Sequence, residues 1–157
     1  MEAVKLIPEL QRPILHIAGD GTEYNRVKHE IEQFSDNFGL QHVFAGSFQK
    51  SELRKMLEQT NIMYAMYNPE RGNIIDGALS TKMFDAASLG IPSIVNADCL
   101  MGEICMVQNL GKSVVWGNSE ALKNALLDLK ESRVKLEKTT SDFKTEYIKN
   151  FEALLNN

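Results

Sequence analysis

Cysteine, tryptophan and proline are scarce in this 157-residue chain, at two, one and four copies. Cys99 and Cys105 fit no zinc-ligand spacing. In a chain that reads as cytoplasmic they are structural thiols rather than a disulfide. Basic charge is not in excess, because 17 Lys and Arg stand against 21 Asp and Glu, for a net charge of -4. No block of like charge or basic face is visible, so no nucleic-acid partner is expected. No apolar run approaches the ~20 residues that span a bilayer. The amino-terminal "MEAVKLIPELQR" is broken by charge and by Pro8, unlike the core of a signal peptide. Histidine is also sparse, at three. His16 reads as a satisfied core residue within a strand, His29 as part of a solvated helix face, and His42 as the first residue of a strand. They compose no Ser/His/Asp or Cys/His set and no metal cluster, so neither a metal nor a cofactor is expected.

Hydrophobic residues make up 43% and charged residues 24%. This is ordinary for a globular chain able to bury one core, and residues 1–157 read as a single domain. Apolar β-branched runs alternate with helical periodicity. Strands are expected at "ILHIAGDG", "HVFAG", "NIMYAMY", "PSIVNA" and "SVVWG". Between them, Tyr24, Val27, Ile31, Phe34 and Phe38 share one face of a helix that stops at Gly39. "KSELRKMLEQT" is expected to start at Ser51 as N-cap. "LMGEICMVQNLG" reads as a further helix. "NSEALKNALLDLKES" starts at Asn118 or Ser119 and has Ala121, Leu122, Ala125, Leu126 and Leu129 as its buried stripe. The tail from about Arg133 is amphipathic through Phe143, Tyr147, Phe151 and Leu154, and packing within the chain is its expected role. Strands separated by helices of these lengths predict an α/β fold, a Rossmann-like parallel sheet with helices on both faces.

Ligands of such sheets bind outside the carboxyl ends of the strands. That selects four loops: Gly19-Asp20-Gly21, Ala45-Gly46-Ser47-Phe48, Asn68 to Thr81, and Asn96-Ala97-Asp98. "GDG" reads as a plain strand-to-helix turn, since no third glycine completes a dinucleotide fingerprint. In "FAGSF", close approach of a base to Gly46 and a small-residue turn are equally good readings. "LSTKMFDAASLGIPSIV" carries more. Ser80 or Thr81 caps a helix whose first-turn N–H groups and positive dipole end suit a diphosphate, and Lys82 adds a cation. Asp85, one turn on, suits the two hydroxyls of a ribose. A surface Lys82–Asp85 pair at i,i+3 explains the same spacing as well.

The ordered run "IAGDG", "VFAGSF…EL…ML", "KMFDAASLGIPSIV" and "GNSEALKNALLDL", from about Ile14 to Leu129, resembles the carboxyl-terminal half of family 4 (group 1) glycosyltransferases of the GT-B fold. The resemblance implies a nucleoside-diphosphate sugar donor bound to this half. It also implies an acceptor bound to an amino-terminal domain of the same enzyme, and retaining transfer to a polysaccharide, lipopolysaccharide or glycolipid without a metal. It places the base at Ala45, Gly46, Ser47 and Phe48. The diphosphate and sugar would lie at Gly19, Gly21, Gly77, Ser80, Thr81 and Lys82, and the ribose at Asp85. Asp76 and Lys82 take the catalytic positions.

Three departures accompany the resemblance. Gly77 stands where the family's first acid is expected, with Asp76 beside it as the candidate replacement. Asp85 is one methylene shorter than the usual Glu. The first strand and the Arg and Lys that clamp the diphosphate would precede Met1. "MEAVKLIPELQ" looks like the helix after that strand, and residues from about 133 to 157 resemble the helix that crosses to the other domain. The resemblance therefore implies an isolated half that transfers nothing alone and exposes unpaired sheet edges, so that it associates with itself or rearranges. The full-length enzyme would be cytoplasmic, with peripheral attachment at the inner membrane face. Two other readings are a non-catalytic Rossmann-like interaction module and a nucleotide-sugar 2-epimerase of the same fold.

Overall fold

A computed structural model describes residues 1–70 and 77–136. The elements run α1 (Glu2–Lys5), β1 (Leu15–Ala18), α2 (Tyr24–Phe38), β2 (His42–Gly46), α3 (Leu53–Leu57), β3 (Met63–Ala65), α4 (Thr81–Ser88), β4 (Ser93–Asn96), α5 (Leu100–Val107), β5 (Gly111–Val114) and α6 (Ser119–Leu129). All strand pairings are parallel. The architecture is α/β and fits the Rossmann-like class, but the strands form two open sheets, β1-β2 and β3-β4-β5. No pairing joins β1 to β3 among the described residues.

The three-stranded sheet is covered on both faces. On one, Ala65 and Val95 pack with Met83 and Ala87 of α4 and with Met101 and Cys105 of α5. On the other, Met66, Ile94 and Val114 pack with Ala125 and Leu129 of α6. β4, the central strand, is buried throughout, which is why "SIVN" shows no alternation. The expected α6 stripe faces this core, and Asn118 caps the helix by accepting from the Ala121 N–H at 2.9 Å.

The two-stranded sheet is covered on one face only. Leu15 packs toward Val4, Phe34 and Leu40, and Phe44 meets Tyr24 edge-on with ring centroids 6.2 Å apart. On the opposite face Ile14 and Val43 are exposed. This corrects two expectations. Cover on both faces fails for this sheet, and His16 is an exposed residue of β1 rather than part of the core. In a period-2 strand His16 falls on the face opposite Leu15 and Ile17, the pair turned toward α2.

Other boundaries shift for local reasons. Residues 50–52 form a 3-10 turn before α3, and Gln49 is the capping residue in place of Ser51. The Gln49 N–H donates to Glu52 Oε2 at 2.6 Å, closing a reciprocal box. The amino-terminal helix is one turn long, and residues 9–11 beyond Pro8 form a 3-10 turn. β5 starts at Gly111, two residues before the expected "SVVWG". A Cβ at Gly111 would lie 1.9 Å from the Ser93 oxygen, so this rung of the ladder requires a glycine. Within β3, Tyr64 is half exposed at the free sheet edge rather than buried.

Candidate functional site

The carboxyl end of β3 is held by a side chain. Met63 and Ala65 direct their backbone groups toward β4, and Tyr67 continues that alternation. The strand backbone of β4 ends at Asn96, whose side chain carries the ladder one step further. Asn96 Oδ1 accepts from the Tyr67 N–H at 2.7 Å, and Asn96 Nδ2 donates to the Tyr67 carbonyl at 2.8 Å. Asn96 is 2% exposed, so both bonds are largely shielded from water. Gly102 lets α5 close over this point. A Cβ there would meet the Asn96 oxygen at 2.4 Å.

Fixing Tyr67 fixes the start of α4. The Tyr67 hydroxyl lies 3.1 Å from Ser80 Oγ, and Lys82 Nζ sits 5.5 Å from the centroid of the Tyr67 ring. Ser80 is the N-cap residue and is buried, but its side chain makes no capping bond. The expectation that Ser80 caps α4 through its hydroxyl is therefore corrected, because Tyr67 engages that hydroxyl instead. Met83 donates back to the Ser80 carbonyl at 3.2 Å. The Thr81 and Lys82 N–H groups have no intrahelical acceptor at this end of the helix. Lys82 and Thr81 are exposed, and Asp85 is exposed one turn along. Among the described residues Lys82 makes no ion pair with Asp85, so the simple surface-pair reading of their spacing is not what the structure contains. Gly77 precedes the helix with φ +85, a left-handed conformation. Asp76 lies outside the described residues.

A second group forms at the carboxyl end of the other sheet. The Gly19 N–H donates to the Gly46 carbonyl at 2.7 Å, tying the "GDG" loop to the "AGSF" loop. Gly46 adopts φ +66, which turns the chain out of β2 and leaves Ser47 and Phe48 exposed. The Gly21 carbonyl accepts from the Tyr24 N–H at the start of α2. Ala45 points to the uncovered face of β1-β2.

The expected site residues thus fall into two clusters, Gly19, Gly21 and Ala45 to Phe48 on one sheet, and Gly77 to Asp85 on the other. No hydrogen bond joins the clusters among the described residues. The residues that sequence reasoning passed over are Tyr67 and Asn96. Asn96 had a readable signal, an amide at the end of a wholly apolar strand. Asp98, in the loop after β4, has φ +56, a left-handed conformation that Asp tolerates better than most residues. An open groove of about 580 Å³ lies elsewhere, at the amino end of β1 and β2 beside Ile14, Gln41 and Val43.

Among the described residues no cluster of three His, Cys, Asp or Glu is placed to hold a metal ion. In the same residues no helix is long and apolar enough to cross a membrane. No family model matches the chain, and neither a curated protein nor a solved structure matches it.

Proposed function

We propose that this chain is the donor-binding half of a retaining glycosyltransferase, taking a nucleoside-diphosphate sugar and working with an acceptor-binding domain. The supporting observation is the assembly at the carboxyl end of β3. The first turn of α4 has its N-cap hydroxyl drawn away by Tyr67, and Lys82 stands beside it over the Tyr67 ring. Free N–H groups, the positive end of a helix dipole and a cation suit a diphosphate. As the sugar leaves, negative charge develops on that diphosphate, and the same groups stabilise it. Asp85, one turn deeper and exposed, accepts from ribose hydroxyls. The Gly46 turn, with Ser47 and Phe48 exposed, offers main-chain groups and an aromatic ring to a base. The gap in pairing between β1 and β3 agrees with the sheet that the resemblance implies, in which a strand would lie there.

A second reading has one observation in its favour. Gly77 supplies no carboxylate at the position where the resemblance expects an acid in contact with the donor sugar, as a nucleotide-binding module without catalysis would. Calorimetric titration of the chain with UDP, GDP and ADP, and with their sugar conjugates, tests the donor-site assignment. Binding of one base in preference to the others supports it and names the nucleotide. Sugar conjugates that bind no better than the bare nucleotide favour the non-catalytic module. No binding to any of them, in this chain and in one extended upstream, refutes both.

A further inference from the structure

The two sheets leave two unpaired edges on the same side of each ladder's numbering, β1 and β3. In β1, Leu15 and Gly19 donate to the β2 side, at Gln41 and Gly46, so alternation turns the N–H and C=O groups of His16 and Ala18 away from β2. In β3, Met63 donates to Pro92 and Tyr67 bonds Asn96, so the backbone groups of Tyr64 and Met66 turn away from β4. These outward groups have no strand partner among the described residues. Parallel sheets normally bury both faces and carry more strands than two, and a free apolar edge is a template for another strand. The edges here are apolar, with Ile14 54% and Tyr64 50% exposed. One face across both sheets is already roofed. Val4 of α1 packs with Phe34 and Leu40 on the β1-β2 side, while α1 also contacts α6, which lies over Met66 and Ile94.

From these placements we infer that β1 and β3 form a receptor for an extended segment of a second polypeptide, added as a strand between them. Backbone hydrogen bonds from both edges are the recognition chemistry, as in other cases of strand addition. The outward groups of His16 and Ala18 serve one side of the incoming strand and those of Tyr64 and Met66 the other. Its side chains would be apolar and β-branched on both faces, like those of β4, the strand of this protein that already sits between two parallel neighbours. Every strand among the described residues already has its place, so the segment is supplied by another chain. This inference does not depend on the proposed nucleotide site.

The probe is a capped synthetic peptide copying Ile91 to Ala97 (IPSIVNA), added to the whole protein, with amide hydrogen exchange read residue by residue. The expected result is fast exchange at His16, Ala18, Tyr64 and Met66 in the free monomer, slowed at least about tenfold by saturating peptide. The same peptide N-methylated at the isoleucine of SIV should give no slowing, since it lacks a ladder donor. Three outcomes overturn the inference. These amides are already protected in the free monomer, or the peptide leaves them unprotected, or protection falls on the outer edges of β2 and β5 instead. Sedimentation run alongside identifies protection that arises from self-association, which also overturns it.

Discussion

Replacing Asn96 by Ala removes the side chain that joins the two halves of the candidate site's support. Its amide makes two hydrogen bonds to one residue, at 2.7 Å to the Tyr67 N–H and 2.8 Å to the Tyr67 carbonyl. Each such bond is worth about 1 kcal/mol net, and a buried backbone group left without a partner adds about 1–3 kcal/mol. Tyr67 is only partly buried, so water recovers some of that loss. The expected destabilisation is about 2–3 kcal/mol, a large share of the ~5–15 kcal/mol available to a domain. Urea unfolding followed by circular dichroism measures it, with an unchanged denaturant slope showing that only stability moved. Asn96→Asp sharpens the test. A carboxylate still accepts from the Tyr67 N–H but opposes the Tyr67 carbonyl, whereas a protonated carboxyl donates to it. Burial beside a carbonyl raises the pKa of the introduced acid. Its contribution is therefore present at low pH and is lost as pH rises through the folded-state value, so the Asp variant should regain stability on acidification. An Asn96→Ala variant within about 0.5 kcal/mol of the parent would show that the side-chain bridge carries no weight.

Gly111→Ala should cost about 4 kcal/mol or prevent folding, because its Cβ would fall 1.9 Å from the Ser93 oxygen and φ is +150; expression yield and thermal melting report this. Tyr67→Phe frees the Ser80 hydroxyl to cap α4, so helix stability should be retained within about 1 kcal/mol while nucleotide-diphosphate affinity falls about fivefold. Adding Ser80→Ala to that variant should restore the affinity, and calorimetry showing no recovery would refute the role given to Tyr67. Lys82→Ala should weaken diphosphate binding by about tenfold and Asp85→Ala nucleoside binding by a smaller factor; an Asp85 variant with unchanged affinity removes the ribose assignment. Cys105 is fully buried, and burial pushes its thiol up to about 11. A buried thiol with a raised pKa stabilises the fold below the ordinary value near 9 and loses that contribution as pH rises toward 11. Unfolding midpoints should therefore fall over that window, and a Cys105→Ala variant should show a shallower decline.

Much of the fold was legible because its signals are local. Gly39 ends α2, Asn118 caps α6, β2 occupies His42–Gly46 and β4 lies within "PSIVNA", each where turn chemistry or apolar pattern points. The failures lie where a non-local contact decides. Periodicity cannot report that β1 has no neighbour on one side, so His16 was read as core although its face is uncovered. The start of β5 depends on how closely Gly111 approaches Ser93, a relation between positions far apart in the chain. The rule that ligands gather at the carboxyl ends of strands picked the right loops to inspect. It could not tell that they divide into two clusters on separate sheets.

The start of α4 shows how such a contact changes chemistry as well as structure. By residue preference alone Ser80 should cap the helix, and its position and backbone angles are those of an N-cap. The phenol of Tyr67 competes for the same hydroxyl and is held in place by Asn96 from a third element. A side-chain cap would have occupied one of the N–H groups that an anion needs. Engaging Ser80 sideways keeps the residue buried and satisfied while leaving that helix end open, with Lys82 kept near by the face of the same ring. Stability and ligand binding thus make opposite demands on one hydroxyl. Tyr67 answers both, which is why the Tyr67 and Ser80 substitutions should interact rather than add.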